Sequence, residues 1–228
     1  MIKMRINDLL LPFDVYERHK RVANYIDKKN KVLDVGGGLQ SLSRFSLAKI
    51  TVSNIDAGDI IADGKSLPVA DQSFDVVTSI DVLEHIAKKD RQKFIDELLR
   101  VAKKKIILSA PFGSMEHIEN EKKLLEDFKK KKKEVPYLSE HVKLGLPTTD
   151  EISSYLKGKR FKILYSGDFR LMTFIFKIHN NELKNPRLNK LFYWFKLFIN
   201  LILNLVYYPF CFGIKHKFTN RFYLIIDK

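Results

Sequence analysis

The chain has 228 residues, 45% of them hydrophobic, which suits one domain with an elaboration and a substantial core. Its 41 Lys and Arg against 27 Asp and Glu give a net charge of +14, but the lysines are spread along the whole length, and the densest run, Lys129 to Lys133, reads as a solvated helix end. Cys211 is the only cysteine, which excludes a disulfide scaffold, and no zinc spacing, helix-turn-helix pattern or aromatic and basic RNA-binding signature points to nucleic acid.

Residues Met1 to Asp14 carry Lys3, Arg5, Asn7 and Asp8 and have no uninterrupted apolar core. That argues against a signal peptide and makes a cytoplasmic location the expectation. A helix is predicted over Asp14 to Lys28, followed by a buried strand at Lys31 to Val35 and a helix at Leu39 to Ala48 after the glycines. Ile50 to Ile55 is a second strand, Ile60 to Ala62 a short third and Phe74 to Ser79 an apolar, β-branched fourth. Arg91 to Ala102 is amphipathic, with Phe94, Ile95, Leu98 and Leu99 on one helical face, and Lys105 to Ser109 makes a fifth strand. Alternating strands and helices imply parallel pairing, with ligand loops gathered on the carboxyl edge of the sheet. Beyond Phe112 come a charged helix (Glu116 to Lys133), a capped helix start at Thr149 to Ile152 and strands at Phe161 to Tyr165 and Phe222 to Ile226. An aromatic-rich insertion, Phe169 to Gly213, separates those two strands.

The text with the most chemical content is Val-Leu-Asp-Val-Gly-Gly-Gly at 32–38. A strand running into glycines lets backbone approach a ligand, because no Cβ stands in the way. An acid about 20 residues on, here Asp56, suits the paired hydroxyls of a ribose. A nicotinamide-binding domain requires a third glycine where Ser41 stands, and no Gly-Lys-Ser/Thr follows at the offset of a P-loop.

Three further stretches follow in order: Asn-Ile-Asp at 54–56, Ala-Asp-Gly-Lys-Ser-Leu-Pro-Val-Ala-Asp-Gln-Ser-Phe-Asp-Val-Val at 62–77, and Asp-Val-Leu-Glu-His-Ile at 81–86. Together they resemble the class I S-adenosylmethionine-dependent methyltransferases, in particular the group acting on small molecules, glycans and lipid-linked acceptors. The resemblance is strong over Lys31 to Phe112, fainter to Lys157 and architectural beyond. It implies a single α/β domain with a Rossmann-like, doubly wound, mostly parallel seven-stranded sheet, an antiparallel last strand and a helical cap insertion. Its parts would be an N-terminal helical segment (1–30), a cofactor core (31–112), a lid or acceptor region (113–160), the aromatic insertion (169–213) and the final strand (221–227).

The resemblance also implies roles. S-adenosyl-L-methionine would be the cofactor, with Gly36, Gly37 and Gly38 beneath its amino-acid end and Asp34 either holding its ammonium or merely capping the turn. Asp56, beside Ala57, would take the ribose, Asp63 and Gly64 the adenine, and Ser79 and Ile80 would lie under the cofactor. If the acceptor needs a base, the candidates are His85, His117, His141 and Asp81, each with a packing or surface role as the alternative. No His, Asp or Glu cluster has metal-ligand spacing, so no metal is expected. A catalytically silent cofactor-binding scaffold, or a membrane-associated interaction protein, is the competing function.

Leu191 to Phe212 approaches the roughly 20 apolar residues of a membrane span. Lys196, Asn200 and Asn204 recur at i+4 and make spanning costly. A pocket cap, a homodimer interface and a peripheral membrane contact remain as readings of this stretch.

Overall fold

The computed structural model describes residues 5–38 and 41–228. Seven strands form one sheet: β1 (Lys31–Val35), β2 (Lys49–Asn54), β3 (Ile60–Ile61), β4 (Phe74–Ile80), β5 (Ala102–Pro111), β6 (Phe161–Asp168) and β7 (Thr219–Asp227). Their order is β3-β2-β1-β4-β5-β7-β6, and β7 runs antiparallel to both of its neighbours. The seven-stranded, mostly parallel architecture with an antiparallel last strand is therefore present. The interior strands β4 and β7 are buried almost continuously, as strands covered on both faces must be.

One face of the sheet packs on α2 (Lys88–Val101), through Phe94, Ile95 and Leu98 against Leu33, Val77 and Ile106. The other packs on α1 (Phe13–Ala23), where Tyr16 and Val22 meet Val32, Ile107 and Tyr223. The sheet order reverses between β1 and β4, and there the carboxyl-edge loops diverge and leave a crevice.

The helix predicted at Leu39 to Ala48 does not form over its described part: Leu42–Arg44 is a 3₁₀ turn, while Leu39 and Gln40 lie outside the described residues. Serines at 41, 43 and 46 offer the backbone alternative partners, and the Ser46 hydroxyl accepts from the Ala48 N–H. The three-residue turn still drives Leu42 and Phe45 into the core.

The segment expected as a lid or acceptor region, 113–160, contains three helices: α3 (Met115–Lys130), α4 (Pro136–Leu144) and α5 (Thr149–Tyr155). The second was not anticipated, although Pro136 at its first position and Gly145 at φ +79° after its end are helix boundary signals. The insertion folds into α6 (Phe169–His179) and α7 (Pro186–Ile202), which continues as a π-helical turn to Tyr207.

Arg91 joins the lid to the sheet domain. Its side chain is 1% exposed, pairs with Glu151 at 3.1 Å and donates to the carbonyls of Ile86 and Gly145. Removing one partner of a buried pair leaves the other charge uncompensated, at about 3–5 kcal/mol. Arg91→Met is expected to lower unfolding stability by that order in urea titrations; a loss under about 1 kcal/mol would show that the lid does not depend on this pair.

Candidate active site

A cavity of about 330 Å³ opens at the ends of β1, β2 and β4. Gly36, Asn54, Ile55, Asp63, Gly64 and Val82 are among its walls. Gly36 has φ +78°, and a Cβ there would stand 2.2 Å from Val82 Cγ2. A Cβ on Gly37 would stand 2.1 Å from Asp34 Oδ2. The glycines are thus required by the turn's own packing as well as by any ligand passing over it.

Asp34 lies beneath that turn, 1% exposed, and accepts the Thr78 hydroxyl at 2.7 Å. Burial pushes its carboxyl up to about 6, and it is not among the residues lining the cavity. Asp56 and Ala57 are exposed on the turn after β2, next to Ile55 at the cavity rim. Asp63 and Gly64 line the cavity, with Asp63 beside Lys65 at 3.5 Å. Ser79 and Ile80 are buried at the end of β4, and Gly38 is exposed at the turn's far end. Ser53, also in the cavity wall, has a buried hydroxyl with no partner among the described residues.

A second cavity, of about 570 Å³, lies between the sheet edge, the lid and α6. Asp81 and His85 line both cavities, so a group passing between them meets these two residues. Asp81 sits at φ +54°, and its carboxylate accepts from Arg18 of α1 and from both terminal nitrogens of Arg221 on β7. Burial works to raise its pKa, but Arg221 and Arg18 outweigh that and hold the carboxyl well below the usual carboxylate range. Asp81 is therefore a permanent anion and a poor proton acceptor at neutral pH.

Glu84 is the residue that sequence reasoning passed over. It is 1% exposed, faces the larger cavity and has a buried Oε2 without a hydrogen-bond partner among the described residues. Burial first, then the charge of Asp81, pushes its carboxyl up to about 8. His141 lies beside it with Nε2 buried and unpartnered among the described residues and Nδ1 3.1 Å from Glu121. Burial opposes its protonation, yet Glu121 and Glu84 raise its pKa overall. The His85 ring centre is 4.9 Å from that of His141, and its Nδ1 is 2.6 Å from Glu140. Glu84, His85 and His141 bring ligand atoms within 4.8 Å of one another, a set that could hold a metal ion and that the sequence spacing did not suggest. His117 lines the same cavity at greater remove: it is 5% exposed, stacks on Phe169 and has Nδ1 2.9 Å from the Phe112 carbonyl. Burial lowers its pKa, so it is neutral at pH 7.

Residues 33–109 match the family model described as a methyltransferase domain. No curated protein matches the chain by sequence. Among solved structures, an S-adenosylmethionine-dependent methyltransferase of Thermotoga maritima, described as a possible histamine N-methyltransferase, superposes with a TM-score of 0.55 at 14% identity, covering 96% of this chain and 92% of that one. A methyltransferase of Archaeoglobus fulgidus gives 0.53 at 15% identity and 95% coverage of both. Haemonchus contortus phosphoethanolamine N-methyltransferase 2, in complex with S-adenosyl-L-methionine, gives 0.53 at 17% identity over 94% of this chain and 52% of that protein. Over residues 33–109 the chain matches a methyltransferase domain, and its overall fold is that of S-adenosylmethionine-dependent methyltransferases.

The smaller cavity fits that cofactor. A bare glycine turn, an unpartnered Ser53 hydroxyl and an apolar rim at Ile55, 65% exposed, offer backbone, hydrogen bond and stacking surface to a nucleoside with an amino-acid tail. Asp56→Ala is expected to weaken S-adenosylmethionine binding at least about tenfold, or 1.4 kcal/mol, by calorimetry. Wild-type affinity in that variant would remove Asp56 from the ribose.

Proposed function

We propose that the chain methylates a hydroxyl of a small-molecule or sugar acceptor, free or lipid-linked, held in the 570 Å³ cavity. The observation that supports this most is the pairing of two unpartnered buried groups, Glu84 Oε2 and His141 Nε2, in the wall of that cavity beside the junction with the cofactor crevice. Bound in the smaller cavity, S-adenosylmethionine supplies an electrophilic methyl on a sulfonium. The protein's larger contribution is alignment, since holding two reactants in line is worth about 7–11 kcal/mol.

A hydroxyl must also lose its proton as it attacks, and buried proton acceptors of high pKa meet that need. Glu84 accepts the proton, and His141, fixed through Nδ1 by Glu121, stabilises the resulting charge distribution. Leu124, Leu138, Phe169 and Phe176 line the rest of the cavity and keep water from the transfer point.

The proton acceptor works only when ionised, so the rate should climb with pH through about 8, where the Glu84 carboxyl titrates. Glu84→Gln should lower kcat by about 10²–10⁴-fold, remove that alkaline limb and leave cofactor binding intact. Release of S-adenosylhomocysteine with candidate acceptors is the measurement, and an unchanged profile in Glu84→Gln would exclude Glu84 as the base. The same group has a stability signature. A carboxyl raised in the folded state stabilises fully below its ordinary pKa and loses that contribution as pH rises through the folded value. Wild type should therefore lose melting temperature between pH 6 and pH 9, relative to Glu84→Gln.

One observation favours a second reading. His85 and His141 each rest Nδ1 on a carboxylate, the outer-shell pattern of metal-binding imidazoles, and Glu84 completes a two-histidine, one-carboxylate set. Cobalt(II) titration followed by visible absorption separates the two. Bands that vanish in His141→Ala and Glu84→Gln identify a metal centre; no bands leave direct proton transfer.

A further inference from the structure

The helix from Pro186 to Tyr207 is amphipathic with its polar stripe facing the protein. Lys196 Nζ donates to the carbonyls of His179 and Asn181, at 3.0 and 2.7 Å. Asn200 Nδ2 donates to the Leu10 carbonyl, and Asn204 Nδ2 to those of Leu9 and Leu11. The stripe that spoke against a membrane span is thus spent on capping the N-terminal turn and the end of α6. The apolar residues are left outside. Leu191, Trp194, Phe198 and Leu205 are 67%, 59%, 58% and 51% exposed, and Phe210 and Ile214 just beyond are 83% and 81% exposed. Only 11% of the helix's most apolar 18-residue window is buried. A contiguous surface of this kind marks a place that something apolar covers.

We infer that this face lies on a lipid bilayer carrying anionic headgroups, with α7 parallel to the membrane plane. Charge decides between lipid and protein. Lys184, Arg187 and Lys190 are exposed at the start of the helix, and no Asp or Glu occurs between Glu182 and Asp227. A two-fold contact with a second copy would set this all-basic segment against itself, whereas an anionic headgroup layer complements it. Aromatic rings with polar edges, Trp194 and Tyr193, stand among the aliphatic residues, as suits the headgroup boundary. A full span is incompatible with the fold, because the inward stripe is bonded to the protein and β7 must return between β5 and β6. The docked face also lies close to the acceptor cavity: α6 lines that cavity with Met172 and Phe176, and His179 of α6 bonds Asn200 of α7.

Trp194 is the chain's single tryptophan, so its fluorescence reports this face alone. Vesicles of phosphatidylcholine with phosphatidylglycerol should shift its emission to the blue and carry the protein in flotation; phosphatidylcholine alone should bind less, and added salt should weaken binding. Leu191→Gln/Phe198→Gln, which alters only exposed positions, should reduce vesicle partition at least about tenfold, and Lys184→Glu/Lys190→Glu should abolish the preference for phosphatidylglycerol. Retained S-adenosylmethionine binding in both variants shows that they fold. No emission shift and no flotation of wild type overturns the inference. So does a dimer in sedimentation equilibrium that Leu191→Gln/Phe198→Gln dissociates, since the face would then be a self-interface. The result is separable from the acceptor reading, because vesicle binding needs no turnover.

Discussion

The ion cluster of Asp81 with Arg18 and Arg221 is the constraint on which both cavities depend. Its three members come from the end of β4, from α1 and from β7, elements far apart in the chain. All are largely withdrawn from water, so each charge is tolerable only because the others are present; stripping one partner from such a group costs about 3–5 kcal/mol. The cluster holds Asp81 in a left-handed conformation, turns the chain out of the sheet and sets Glu84 and His85 on the far side of that turn. The smaller cavity lies to one side of it and the larger to the other.

Two carboxylates three residues apart are consequently driven in opposite directions. Asp81 has two guanidiniums and is held ionised; Glu84 is buried and feels the negative charge of Asp81, which together outweigh the opposing effect of His141, so it keeps its proton at neutral pH. This division gives a permanent anion that organises the site and a titrating group that can exchange a proton within it. Glu121 adds a relay on the lid, touching His141 directly and standing 4.0 Å from His117.

The sheet and its site were legible to different degrees in the sequence. Strand positions were readable because strands buried on both faces are written as runs of mostly apolar residues, such as Phe222 to Ile226. The glycine turn was readable because a close backbone approach admits few residue types. The 3₁₀ turn at Leu42 was not, since a short apolar segment rich in serine satisfies helix and turn periodicities alike. Glu84 was hidden for another reason: its significance comes from the desolvation and neighbours that only the folded chain provides, among them His141, a candidate in the sequence carried here on α4.

What the sequence determined by itself was the alternation of strands and helices, the place of the ligand-binding edge and the family to which residues 33–109 belong. These are local properties, set by hydrophobic period and backbone freedom. Tertiary structure alone decided which side of the aromatic helix faces inward, and that Glu84 joins Asp81, His85, His117 and His141 around one cavity. An amphipathic pattern specifies two faces but not their orientation. Here carbonyls of the N-terminal turn and of α6 claim Lys196, Asn200 and Asn204, and the apolar face is turned out because those polar groups found their partners within.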